Sequence, residues 1–126
     1  MQLLHTDRAP EAIGPYSQSV ACDGWLYTAG QVALDPATGE LAAEDFAGQA
    51  RQVLRNLEAV LTNAGCAPRD VVKATIYLVD FADFAELNAL YAAFMGDHRP
   101  ARSTVQVAAL PKGALLEIDL VARIPR

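Results

Sequence analysis

Lysine is scarce in this chain of 126 residues, as are cysteine, histidine and tryptophan. Only 10 side chains are basic, two of them lysine, against 15 acidic ones, and the formal net charge is −5. Proteins that bind nucleic acid contact its phosphates through clustered lysine and arginine, and no such cluster is present. We therefore expect no nucleic acid among the partners.

Long apolar runs are also missing. None approaches the roughly 20 residues that a membrane-spanning helix needs. The N-terminal residues show no basic flank followed by an apolar core. The sequence thus predicts no secretory signal, no membrane partner and a cytoplasmic protein.

The two cysteines and two histidines do not form a metal-binding pattern. Cys22 and Cys66 lack C-x-x-C spacing, and His5 and His98 lie far apart in the chain. We therefore expect no metal site, and a disulfide is disfavoured in the cytoplasm. No GxGxxG motif or Walker loop is present, so nothing indicates a nucleotide.

The composition is that of a folded domain. Apolar residues make up 52% of the chain and charged residues 20%, a balance that excludes intrinsic disorder. No internal repeat or low-complexity linker divides the sequence, so we expect a single domain over residues 1–126.

Local patterns predict the elements of an α+β fold. Residues 17–22 and 25–30 flank the pair Asp23-Gly24, which suits the type I′ turn of a hairpin. An apolar stripe at three- and four-residue steps predicts a helix between Asp45, as its N-cap, and Gly65.

A second helix and three further strands follow. The helix is predicted to begin at Asp83, with Glu86 three residues on as in a capping box, and to end at Gly96. Alternating patterns predict strands over residues 71–79, 102–109 and 115–124.

These elements predict one mixed, mainly antiparallel sheet with both helices on one face. We expect the other face to carry apolar groups together with Arg102, Thr104, Gln106, Glu117 and Asp119. A face of this mixed character is typical of an oligomer interface or a ligand pocket.

Several residues permit both a structural and a functional interpretation. A charge within a strand, as at Arg102, Glu117 or Asp119, is usual on the solvated face of an antiparallel sheet. Alternatively, an arginine fork matches a carboxylate bidentately, and a nearby glutamate can activate water. Tyr16 fits a turn, and Gly30 fits a strand end, but both also fit a ligand site. Asn88 fits either an exposed helix position or a contact with a ligand.

Several motifs in one order resemble those of the Rid family, also called YjgF. The resemblance covers the chain from about residue 9 to the C-terminus. Pro100-Ala101-Arg102-Ser103-Thr104-Val105 followed by Leu116-Glu117-Ile118 is similar to the family signature, and four further segments match: residues 12–18, 27–31, 49–57 and 88–94.

The resemblance implies a chorismate-mutase-like fold and a homotrimer with three clefts between subunits. It implies an enamine/imine deaminase that needs no cofactor and hydrolyses 2-aminoacrylate, 2-iminopropanoate or 2-iminobutanoate to 2-keto acids and ammonia. Arg102 matches the arginine that binds the substrate carboxylate, and Glu117 the glutamate that positions water. Tyr16, Gly30 and Thr104 match positions that line the cleft.

Two functions are alternatives to the deaminase. A trimer of this kind can bind a metabolite or act as a chaperone without catalysis. Some relatives are described as ribonucleases, which the net charge of −5 and the absence of a histidine pair beside Arg102 disfavour.

Overall fold

The computed structural model describes residues 1–126. It contains a six-stranded sheet with two helices on one face. The elements in chain order are β1 (Gln2–Leu4), β2 (Ser19–Cys22), β3 (Trp25–Thr28), α1 (Phe46–Asn63), β4 (Val71–Leu78), α2 (Phe84–Met95), β5 (Ala101–Gln106) and β6 (Leu116–Arg123). The spatial order of the strands is β1-β2-β3-β6-β4-β5, and only β4 and β5 are parallel. The predicted α+β class and mixed sheet are confirmed.

The turn residues of the β2–β3 hairpin and the capping residues of α1 have the predicted conformations. Asp23 and Gly24 both have positive φ, 52° and 83°, as a type I′ turn requires. The Asp45 side chain accepts a hydrogen bond from the Gly48 backbone N–H at 3.2 Å and caps α1. Gly65 takes a φ of 77° just beyond the helix, where a residue with Cβ would be strained.

The predicted capping box at α2 was wrong. Asp83 precedes the helix, but its side chain makes no capping hydrogen bond. Instead, the carboxylate of Asp80 accepts from the Ala82 N–H at 2.8 Å and starts a short 3-10 turn over Phe81–Asp83. This turn leads directly into α2, so the capping group stands one turn earlier than the spacing suggested.

The core lies between the helices and alternate residues of the central strands. On β6 the side chains that face the helices are at most 1% exposed: Leu116, Ile118, Leu120 and Ala122. The residues between them, Glu117 and Asp119, point to the opposite face, which no helix covers. We call this the open face.

The predicted position of Arg102, Thr104 and Gln106 on the open face was wrong. These β5 residues lie opposite Ala74, Ile76 and Leu78 of β4, which are fully buried beneath the helices. Directly paired residues point to the same side of a sheet. Because β5 is an edge strand at the margin of the helical layer, polar groups remain partly accessible there.

Three polar side chains of α1 lie inside the protein: Gln49, Gln52 and Asn56. Asn56 donates to the backbone carbonyls of Val32 and Leu34 at 3.3 and 3.0 Å. Gln49 accepts from the Leu115 N–H at 2.9 Å. The helix therefore holds both the loop that follows β3 and the entry to β6 by hydrogen bonds.

Replacing Asn56 with alanine should destabilise the protein by about 2–4 kcal/mol, because two buried carbonyls lose their partner and a cavity remains. Urea unfolding at equal protein concentration measures this. Asn63→Ala, which removes an exposed hydrogen bond to the His5 carbonyl, is the matched control and should cost less than about 1 kcal/mol. Equal losses in both variants would contradict the prediction.

Neither helix is long and apolar enough to cross a bilayer.

Candidate active site

Tyr16, Gly30 and Glu117 line one cavity of about 380 Å³. Much of the remaining lining is apolar and includes Ile13, Val32, Leu34 and Pro111. The Tyr16 ring lies after the turn at Gly14, whose carbonyl accepts from the Tyr16 N–H at 2.8 Å. Three of the predicted site residues thus meet in a largely apolar space.

The backbone around Gln31 brings Gly30 against Glu117. Gln31 and Ile118 exchange two backbone hydrogen bonds of 2.9 and 3.1 Å, so this segment pairs with β6. A Cβ on Gly30 would lie 2.7 Å from Cδ of Glu117 and 2.9 Å from its Cγ, and closer still to Oε2. Glycine is required here for space, since its φ is not in the left-handed region.

A Gly30→Ala variant should lose about tenfold to a hundredfold in catalytic rate, since displacing a reacting group by about 1 Å costs on that order. The added methyl group forces the Glu117 carboxylate aside, while the fold is retained because a side chain rather than backbone must move. Steady-state kinetics and a thermal melt check both statements. An unchanged rate would show that the position of Glu117 is not critical.

The surroundings of Glu117 raise the pKa of its carboxyl group. Burial raises the pKa of this carboxyl, and the negative charge of Asp119 raises it further. Asp119 accepts a hydrogen bond from the Tyr77 hydroxyl at 3.2 Å, and its own pKa is raised by burial. No basic side chain forms an ion pair with Glu117. The result is a carboxylate more basic than an exposed one, as a general base requires.

Arg102 is held by α2 on the opposite side of the sheet. Its Nη2 donates to Oδ1 of Asn88 at 2.8 Å. Its guanidinium carbon lies 5.0 Å from the centre of the Tyr91 ring and 5.7 Å from that of Phe84. No carboxylate pairs with it, so the guanidinium is oriented and has free donors for an anion.

Phe84 and Tyr91, which lie beside Arg102, were not among the predicted site residues. Their spacing from Asn88, four residues before and three after it, places all three on one face of α2. That spacing was the available signal for the surface on which Arg102 rests.

Thr104 lies on the same side of β5 as Arg102, since it pairs with Ile76. Its Oγ1 is buried and has no hydrogen-bond partner. Thr104 lines neither the Glu117 cavity nor the space beside Arg102.

A single chain does not bring Arg102 and Glu117 together. Arg102 pairs with Ala74 and Glu117 with Tyr77, residues of β4 that point to opposite faces. The two positions are roughly 10 Å apart along the strands and about 10 Å apart across them. The structure therefore places the two residues in separate cavities, which we call the two half-sites because the sequence motif pairs these residues.

No group of three or more histidine, cysteine, aspartate or glutamate side chains is arranged to hold a metal ion.

Comparison with known proteins identifies the family. The family model described as endoribonuclease L-PSP matches residues 6–124. A RutC family protein of Pyrococcus horikoshii is 46% identical over 121 residues, with 96% of each chain covered. The human 2-iminobutanoate/2-iminopropanoate deaminase is 44% identical over 121 residues, which cover 96% of this chain and 88% of the human protein.

Solved structures agree with this relationship. RidA from an Antarctic Psychrobacter superposes with a TM-score of 0.95 at 45% identity, covering 98% of this chain and 100% of that one. TdcF of E. coli, solved with bound serine, superposes with a TM-score of 0.92 at 42% identity, covering 98% of each chain. Together with the matched residues, these findings confirm the resemblance seen in the sequence. The chain belongs to the Rid (YjgF) family, which the endoribonuclease L-PSP model describes.

Proposed function

We propose that this protein is an enamine/imine deaminase that hydrolyses 2-imino acids to 2-oxo acids and ammonia, with each active site between two subunits of a homotrimer. One observation carries this proposal. A basic carboxylate and an oriented guanidinium, neither of which forms an ion pair, lie on opposite faces of the sheet. Each is half of what a 2-imino acid needs.

The relatives support this substrate class. Human, mouse and rat relatives at 43% to 44% identity are named 2-iminobutanoate/2-iminopropanoate deaminases. TdcF carries bound serine, whose carboxylate is of the kind that an arginine fork accepts. The motif residues Arg102 and Glu117 are both present in this chain.

The reaction follows from the two half-sites. Arg102 holds the carboxylate of the substrate and so orients the imine carbon. Water adds to that carbon through its oxygen, Glu117 accepts one proton from the water, and the electrons of the C=N double bond move to nitrogen. The proton then passes from Glu117 to the nitrogen of this tetrahedral adduct. Glu117 next accepts the proton of the new hydroxyl group and transfers it to the nitrogen, so that the C–N bond breaks as the C=O bond forms and ammonia leaves.

The open face supports assembly of several subunits. Tyr27 and Val105 lie on it and are 48% and 42% exposed. Exposed apolar groups interspersed with polar ones, such as Asp119 and Thr75, are typical of an interface. In a ring of three, a heterologous contact repeats and closes, which yields three equivalent clefts.

Complementation between two inactive variants tests the shared site. Arg102→Ala and Glu117→Gln are coexpressed with different tags, and mixed trimers are isolated by two affinity steps. In any mixed trimer one cleft of three receives both intact residues, so we expect about a third of the wild-type activity. No recovery would mean that one subunit supplies both residues, and a monomer by light scattering would rule out the shared cleft.

Ribonuclease activity, the other function that the family's name suggests, has no support in the site. Neither histidine lines either half-site: His5 binds Asp7, and His98 contacts the Val71 carbonyl. The net charge of −5 also opposes binding to RNA.

The pH at which kcat/KM falls on the acidic side should depend on Asp119. We call this fall the acidic limb. Glu117 acts as a base only when ionised, so kcat/KM falls as pH drops through its pKa. Burial and the charge of Asp119 raise the pKa of Glu117, and Asp119→Asn removes the second cause. The limb should therefore move to lower pH in this variant. Glu58→Gln, which removes an exposed negative charge on α1, is the control and should leave the limb nearly in place. An unmoved limb in Asp119→Asn would contradict the assignment of Glu117 as the base.

A further inference from the structure

A second guanidinium, that of Arg99, lines the same cavity as Arg102. This cavity has a volume of about 290 Å³ and is also lined by Asn88, Tyr91 and Pro100. We call it the two-arginine cavity. Nothing in the reaction derived above uses Arg99.

Arg99 is fixed although it lies at the surface. Its Nη1 donates to the carbonyls of Gly96 and His98 at 2.6 and 2.9 Å. These bonds use both hydrogens of Nη1 and leave Nε and Nη2 free to donate. The loop that ends α2 thus holds the Arg99 fork in place before any ligand arrives.

The two-arginine cavity contains two cations and no counter-ion. The only ion pair in the protein joins His5 and Asp7. Burial raises the pKa of the Tyr91 hydroxyl, and the charges of Arg102 and Arg99 both oppose that effect, so both act on the same phenol. Unpaired positive charges around one cavity create a local field that attracts anions, even though the net charge of the chain is −5.

One carboxylate needs only one guanidinium fork. Arg102 retains free donors after its bond to Asn88, which suffices for the substrate carboxylate of the proposed reaction. Arg99 then presents a second fork with no assigned acceptor. A ligand that satisfies both forks carries two anionic groups joined by a short chain.

We propose that the two-arginine cavity binds ligands with two anionic groups, so that dicarboxylic 2-imino acids are preferred substrates. Arg102 holds the carboxylate next to the imine carbon, and Arg99 holds the distal one. This assignment of substrate class rests on the proposed deaminase function.

Binding of two five-carbon oxo acids tests the proposal without turnover. 2-Oxoglutarate and 2-oxopentanoate differ only in the distal carboxylate. By isothermal titration calorimetry, 2-oxoglutarate should bind the wild type about tenfold to a hundredfold more tightly, the range for one charged hydrogen-bond pair. Equal affinities would overturn the proposal.

The Arg99→Leu variant identifies the group responsible. It should lose the preference for 2-oxoglutarate while its affinity for 2-oxopentanoate stays within about twofold of the wild type. Arg8→Leu, an exposed arginine that lines a different cavity, is the matched control and should keep the preference. If Arg99→Leu lowers the affinity for both ligands equally, Arg99 and Arg102 bind the same carboxylate and the proposal is wrong.

Ammonia release from 2-iminobutanoate, generated in situ by an amino acid oxidase, separates the two proposals. Activity on this monocarboxylate without a preference for 2-oxoglutarate overturns only the substrate class. A preference for 2-oxoglutarate without any imine hydrolysis overturns the deaminase function and leaves a binding site for dicarboxylic acids.

Discussion

Replacing Glu117 with glutamine should lower kcat for imine hydrolysis by about a hundredfold to ten-thousandfold, the range that general base catalysis supplies. The amide has the shape of the carboxylate but cannot accept a proton from the attacking water. Affinity for the 2-oxo acid product should stay within a few-fold, because Arg102, the proposed carboxylate ligand, lies in the other half-site and is oriented there by Asn88. Ammonia release and calorimetry measure the two quantities.

The variant should also be at least as stable as the parent. Burial raises the pKa of Glu117, which means that the ionised group is disfavoured in the folded protein. An amide in that place carries no charge to desolvate. Glu58→Gln, the same change at an exposed position of α1, is the control for rate and stability. Turnover at the parental rate in Glu117→Gln would show that Glu117 has only a structural role.

Local chemistry explains why much of the fold could be predicted. The Asp23-Gly24 turn and the stripe and caps of α1 are signals whose partners lie within a few residues. The capping box at Asp83 failed because an aspartate three residues earlier formed a turn that competes with it. The strand β1 has only three residues, too few for an alternating pattern to be recognised.

The face on which Arg102 lies could not be derived in the same way. A period of two shows that Arg102 and Thr104 share a face of β5 but does not say which face the helices cover. Polarity suggested the open face. The parallel pairing with β4 places Arg102 and Thr104 on the helical side, because they lie beside Ala74 and Ile76, whose side chains face the helices. Long-range pairing, which carries no local signal, decided the outcome.

The site shows the same division between local and long-range information. Gly30 and Glu117 meet because the Gln31 segment pairs with β6, far along the chain. The motif match named Arg102 and Glu117 as partners, whereas the geometry of one chain separates them. A second copy of the chain would bring an Arg102 next to a Glu117, and for this reason the proposed mechanism includes assembly.

Replacing Arg102 with lysine should reduce kcat/KM for imine hydrolysis about a hundredfold or more, nearly as far as replacing it with alanine. The reason is geometric. A guanidinium presents parallel N–H donors in one plane and so fixes both the position and the rotation of a bound carboxylate. A lysine ammonium supplies the charge but pivots on a flexible stem.

The surroundings of Arg102 strengthen this expectation. Its guanidinium is oriented by Oδ1 of Asn88 and lies 5.0 and 5.7 Å from the centres of the Tyr91 and Phe84 rings. A lysine at the same position lacks the planar group that Asn88 orients, although its charge can still interact with the rings. The imine carbon would then no longer be held at a constant distance from the water on Glu117.

Thermal melts and sizing of both variants separate catalysis from folding. Arg102 lines a cavity and is only half-buried, so the lysine and alanine variants should fold and assemble as the parent does. Arg51→Lys, on the exposed side of α1, controls for the change of residue type.

If Arg102→Lys retains near-parental kcat/KM, charge alone is sufficient and the fork is not required. If it loses activity but regains it at saturating substrate, Arg102 contributes to binding and not to orientation. A low kcat at saturation, with the same oligomeric state as the parent, is the result that the geometry of Arg102 and Asn88 leads us to expect.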